Sequence, residues 1–113
     1  MKKLLLLSLV FISQPSFAKI TCHGKVKNIL QYSNGLVTVL TDYRNDYTAM
    51  CDIDSDRGTV SPETCKGILS VLLTAHSSGK DIVVNYSGDQ YACNNLPAYS
   101  AAPNPVYVGI KNP

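Results

Sequence analysis

Residues 51–65 read CDIDSDRGTVSPETC, and two folds compete for them. As a calcium loop, Asp52, Asp54, Asp56 and Glu63 fall at positions one, three, five and twelve of an EF-hand. Position six of such a loop needs Gly for its sharp turn. Arg57 stands there, with Gly58 one step late. The residues before Asp52 read as a strand, not as an amphipathic helix, so no metal is expected. The same stretch reads better as a solvated loop that enters a helix. Ser61 is placed to accept a backbone N–H as N-cap, Pro62 to open the first turn, and Glu63 to meet the positive end of the helix dipole.

From there the helix is predicted over residues 62–78. Cys65, Ile68, Leu69, Leu72, Leu73 and His76 recur at helical spacing on one face, and Gly79 has the place and identity of a C-cap. Val71 and Ala75 lie to one side of that stripe. Upstream, residues 20–31 (ITCHGKVKNILQ) alternate as a strand whose phase slips at residues 28–30, the mark of a β-bulge. Tyr32-Ser33-Asn34-Gly35 carries the Asn-Gly hairpin signal. Residues 36–41 (LVTVLT) return as a β-branched strand, residues 42–46 (DYRND) turn, and residues 47–51 (YTAMC) form a third strand. Residues 81–86 (DIVVNY) and 106–110 (VYVGI) are strands four and five. Between them the proline-rich stretch 94–105 reads as an ordered loop crossing the surface. Three strands, a helix and two strands give a mainly β domain with one α-helix. The expected architecture is a small five-stranded OB-fold-like barrel in the order β-β-β-α-β-β.

The first 18 residues, MKKLLLLSLVFISQPSFA, have the form of a cleaved bacterial signal peptide. Lys2 and Lys3 lead, residues 4–12 are apolar, and Ser16-Phe17-Ala18 is a small-x-small cleavage site. The apolar run is too short to span a bilayer, and no Cys follows the cut to carry a lipid anchor. A periplasmic or secreted domain of residues 19–113 is expected. Of ten Lys and Arg residues, two belong to the signal, leaving eight against eight Asp and Glu. A neutral domain without a basic run argues against nucleic acid and against electrostatic membrane binding. Four cysteines in an exported domain this small read as two disulfides, with three pairings open. Cys51 with Cys65 and Cys22 with Cys93 is the favoured pairing. The first would fasten a strand end to the helix, and the second the N-terminal strand to a late loop. Zinc is disfavoured because no C-x-x-C pair exists.

The chain from Cys51 to Tyr86 resembles the B subunits of subtilase-cytotoxin-type toxins and their small exported relatives. The carriers are Cys51 at a strand end, the helix from Ser61 to Ser78, and Ser78-Gly79-Lys80-Asp81-Ile82-Val83-Val84 running into a strand. Gly24-Lys25-Val26, Tyr32-Ser33-Asn34-Gly35 and Pro105-Val106-Tyr107-Val108 are also similar. The resemblance implies an OB-fold and, for true toxins, a ring of five B subunits that binds cell-surface glycans and carries an enzymatic A subunit. This chain is shorter than the toxin pattern and its loops are tighter. None of the toxin's sugar-contacting residues is carried over.

No Gly-x-Ser-x-Gly or His-Glu-x-x-His motif is present, and the cysteines are expected to be oxidised, so the chain reads as no enzyme and needs no cofactor. His23 reads as a surface strand residue and His76 as a capping or core-edge residue near the helix end. Seven tyrosines and no tryptophan are more telling. Tyr86, Tyr107 and Tyr47 alternate with core residues and are expected to pack. Tyr32, Tyr43, Tyr91 and Tyr99 fall in turns and loops. There a phenol offers a flat apolar face and a hydroxyl, suited to sugar rings or peptides, or closes the barrel end as a lid. Tyr43, with Arg44, Asp46 and Tyr32, is the expected ligand-binding set. The expected partner is a glycan or a protein. The alternatives are an assembly subunit of a toxin complex and a secreted inhibitor of another enzyme. The small, weakly apolar side of the helix argues for a monomer or a weak homo-oligomer.

Overall fold

The computed structural model describes residues 19–112. The proposed signal segment and its cleavage site lie outside them. The described chain runs β1 (Lys19–Gly24), β2 (Val26–Gln31), β3 (Leu36–Thr41), β4 (Tyr47–Asp52), α1 (Pro62–Ser78), β5 (Asp81–Ser87) and β6 (Tyr107–Lys111). These form two three-stranded antiparallel sheets, ordered β1-β5-β6 and β2-β3-β4. The domain is thus mainly β with one helix. Among the described residues the sheets do not close into a barrel.

The single bulged first strand expected from the pattern is two strands. Residues 19–24 pair with β5 and residues 26–31 with β3, so the chain passes from one sheet to the other at Lys25. The aspartate of the following turn makes the joint. Asp42 Oδ1 accepts the Lys25 N–H at 3.0 Å, and Asp42 N–H donates to the Lys25 carbonyl at 3.2 Å. Gly24 is required beside it, because a Cβ there would strike the Asp42 carboxylate and the Tyr43 ring. The phase slip does mark a register shift, which falls between Val26 and Asn28.

The helix begins and ends where its caps require. Ser61 Oγ accepts the Thr64 N–H at 3.2 Å, Pro62 opens the first turn, and Gly79 sits at φ 66° with its N–H on the Ala75 carbonyl. A left-handed cap of this kind costs glycine nothing. Cys65, Ile68, Leu72 and Ala75 are buried against the sheets. Three positions depart from the expected stripe. Leu73 is 52% exposed, His76 is exposed as well, and Ala75, expected on the flank, is fully buried. The helix packs on β2, β4, β5 and β6, which turns the buried stripe toward Ala75. His76 Nδ1 lies 3.0 Å from the Val26 carbonyl, linking the end of the helix to the start of β2.

Val37, Val39, Met50, Ile82, Val84, Tyr86 and Leu96 fill the core with the buried helix residues. Tyr107, expected to pack, stands exposed instead, because β6 places it opposite Asn85 and not opposite the core residue Val84. Two disulfides, Cys22–Cys93 and Cys51–Cys65, staple the fold, with Cα separations of 5.6 and 5.3 Å. They close loops of very different length, worth about 4 and about 3 kcal/mol respectively in the loop-entropy model. Such staples fit an oxidising, extracellular or periplasmic compartment. No described helix is long and apolar enough to cross a membrane.

Candidate ligand-binding surface

Strand register decides which side chains leave the core. Ile29, Val39 and Thr48 are mutual partners and face inward, so their neighbours face out. The outer face of β2-β3-β4 therefore carries Asn28, Leu40 and Tyr47 in one row, and Leu30, Thr38 and Ala49 in the next, of which Thr38 and Ala49 are fully buried. The proline-rich loop lies along the free edge of β4. Tyr99 N–H donates to the Tyr47 carbonyl at 2.7 Å, and Ala49 N–H donates to the Tyr99 carbonyl at 3.0 Å. Tyr99 takes φ 51°, a left-handed backbone uncommon for a residue with a side chain. That conformation stacks its ring against Tyr47, with centroids 5.8 Å apart and planes 28° from parallel.

The two rings are held from several sides. Asn28 Nδ2 donates to the Tyr47 hydroxyl at 3.2 Å, and Asp46 Oδ1 accepts the Tyr47 N–H at 2.7 Å. Arg44 Nε donates to the carbonyl of buried Leu96 at 2.6 Å, which fastens the near end of the loop. Arg57 fastens its far end. Its guanidinium donates to the Ala102 carbonyl at 2.7 Å, to the Ser100 carbonyl at 3.1 Å and to Asn104 Oδ1. Burial draws the Arg57 pKa down, with Tyr86 and Asp52 acting against that shift.

Tyr32 stands in the β2–β3 turn, where Gly35 at φ 98° closes the hairpin. It is 40% exposed and Tyr99 is 44% exposed. The Tyr32 N–H donates to the Leu36 carbonyl at 2.8 Å, so Tyr32 continues the alternation of β2 on the side of Asn28 and Leu30. Desolvation first, then Tyr32, Asp46 and Tyr47, push the Tyr99 phenol upward. Tyr32, Tyr47 and Tyr99 thus present aromatic surface on one side of one sheet.

The expected ligand set divides. Tyr32 is on this surface. Asp46 and Arg44 adjoin it, as the cap of Tyr47 and the tether of the loop. Tyr43 is elsewhere. Its ring packs on the core, and its hydroxyl is buried beside those of Thr41 and Tyr86, with no partner at hydrogen-bonding geometry among the described residues. Burial pushes both phenols upward, Tyr86 the more strongly. Tyr43 is therefore a packing residue and not part of this surface. Tyr47 and Tyr99 are the residues that sequence reasoning passed over as a pair, since no local pattern joins positions so far apart.

The acidic loop has its own work. Asp52 Oδ1 accepts the N–H groups of Asp54 and Ser55 at 2.8 and 3.1 Å, a local turn, and Ile53 N–H donates to the Gly35 carbonyl at 2.9 Å. His23 is exposed on β1. Together the fold and this surface define a class: a small β domain, stapled by two disulfides, that displays tyrosines on an outer sheet face. No family model and no curated protein matches the chain.

Proposed function

We propose that the chain is an exported, non-catalytic binding protein of OB-fold type, and that the outer face of β2-β3-β4 takes a glycan. The carrying observation is the Tyr47–Tyr99 ring pair, with Tyr32 at the end of the same face. Tyrosine rings offer sugars a flat apolar surface while their hydroxyls and a nearby amide offer hydrogen bonds. Asn28 supplies that amide here.

The OB reading draws on topology. The chain from Lys19 to Gln31 acts as one bent strand shared between two sheets, and β3, β4, α1, β5 and β6 then follow in OB order. In that fold, oligosaccharides bind across the second and third strands and between the loops after the first and fourth. Here those parts are β3, β4, the Tyr32 turn and the Tyr99 loop. The resemblance to subtilase-cytotoxin B subunits points to the same class of ligand.

A glycan array probed with wild type, Tyr99→Ala and Tyr47→Ala tests this. Each substitution should weaken the best-bound glycan by about tenfold or more, the cost of losing a central aromatic contact. Circular dichroism should stay unchanged for Tyr99→Ala. Binding that survives both substitutions would place the site elsewhere. A stable pentamer in light scattering would favour the toxin-subunit reading over a stand-alone protein.

A further inference from the structure

We propose that the groove between α1 and β6 is a second site, which takes an extended, uncharged strand of a partner protein. It does not depend on the glycan reading. β6 ends its sheet and is paired on one edge only, by β5. No backbone hydrogen bond from another described residue reaches its other edge. An unpaired edge is a template for another strand.

The wall beside β6 is apolar. A groove of about 480 Å³ runs between Gly67, Ile68 and Val71 of the helix and Val106, Tyr107 and Val108. A second, half-polar recess of about 590 Å³ continues it, sharing Thr64, Ile68 and Val106. No charged side chain lines either one. Val106 is 61% exposed at the junction. Gly67 leaves the helix side open, since a Cβ there would meet nothing within 4 Å. A strand laid between an edge strand and a helix gains main-chain hydrogen bonds from the first. It places alternate side chains in the pocket beside the second, which is the geometry of strand addition in peptide-binding domains.

In a second copy of this chain three of the four edge strands are encumbered, and only its own β6 is free. β1 is fastened to the 93–95 turn by Cys22–Cys93, and the β4 edge is bonded to Tyr99. β2 carries Lys27, a register shift and the His76 contact at Val26. Lysines and bulges both discourage pairing at an edge.

The test uses an array of capped octapeptides in which Val, Ile, Leu, Phe or Tyr alternates with Ser or Thr. A matched set carries Pro at alternate positions. The alternating peptides should yield binders and the Pro set none, because Pro cannot donate to a ladder. Backbone amides of residues 107–111 should shift and gain exchange protection in NMR spectra. Gly67→Leu fills the groove without touching the core, and should weaken binding by about tenfold or more with the fold intact. No binder at all, or equal binding by Gly67→Leu, overturns the proposal. So does micromolar self-association that Gly67→Leu abolishes, which would make a second copy the occupant.

Discussion

Tyr43 and Tyr99 look alike in the sequence, each in a polar or proline-rich loop, yet one ring enters the core and the other leaves it. What separates them is long-range. Gly24 and the Asp42 clamp draw the turn inward under Tyr43, whereas two hydrogen bonds to β4 and a left-handed backbone turn Tyr99 outward. Neither influence leaves a mark in local composition. Tyr43→Ala should therefore cost about 2–4 kcal/mol in urea unfolding, as truncation of a packed aromatic does. Tyr43→Phe should cost little, since it removes a buried hydroxyl without a partner. Gly24→Ala should cost about 1–3 kcal/mol through crowding of Asp42 and Tyr43. Stability should also depend on alkaline pH. Tyr43 and Tyr86 have folded pKa values raised above the ordinary value of 10.0, so the unfolded chain loses these protons first. Their contribution is complete below that value and is lost as pH rises through it toward the folded values. Urea midpoints should hold level up to about pH 9.5 and fall beyond it. The double variant Tyr43→Phe, Tyr86→Phe should fall less steeply. An equal slope in both proteins would exclude the two phenols as the cause.

At the scale of elements, the helix was the most legible part of the chain. Its caps are local chemistry, and Ser61, Pro62 and Gly79 do in the structure what their positions announce. Its buried face was less legible. Periodicity gives a stripe, but which edge of the stripe turns inward depends on four strands that the helix covers. That is why Ala75 replaced Leu73. The first strand was legible only in part, for a related reason. An alternating pattern runs through residues 20–26 without a break, and only pairing partners reveal that it changes sheets at Lys25. Two substitutions check the helix. Ser61→Ala should lower stability by about 1 kcal/mol, the value of an N-cap hydrogen bond. Gly67→Ala should raise it by about 1 kcal/mol, because the position is helical and nothing crowds a Cβ there. Thermal melts read both, and a destabilising Gly67→Ala would mean that the helix is under strain at that point.

For the molecule as a whole, the cysteine count announced two staples, and the favoured pairing is the one in the structure. The tyrosine face was legible only as a surplus of tyrosine. Its three rings come from the β2–β3 turn, the start of β4 and the late loop, and pairing in three dimensions has no sequence period. Opening both bridges should remove several kcal/mol, by the loop-entropy model, and leave a domain of this size unfolded or close to it. Circular dichroism with and without reductant tests this, and an unchanged melt would show the core to be self-sufficient. The ties made by Arg57 have a further consequence in time. They join residues 43, 45 and 47 positions apart, and Cys22 reaches Cys93 across 71. Contacts of such span form late, after the hairpins and the helix, because long loops must first be closed. A refolding chain would thus regain its far-ultraviolet signal before the near-ultraviolet signal of the Tyr47–Tyr99 pair. The delay between those two traces would be the docking time of a single loop.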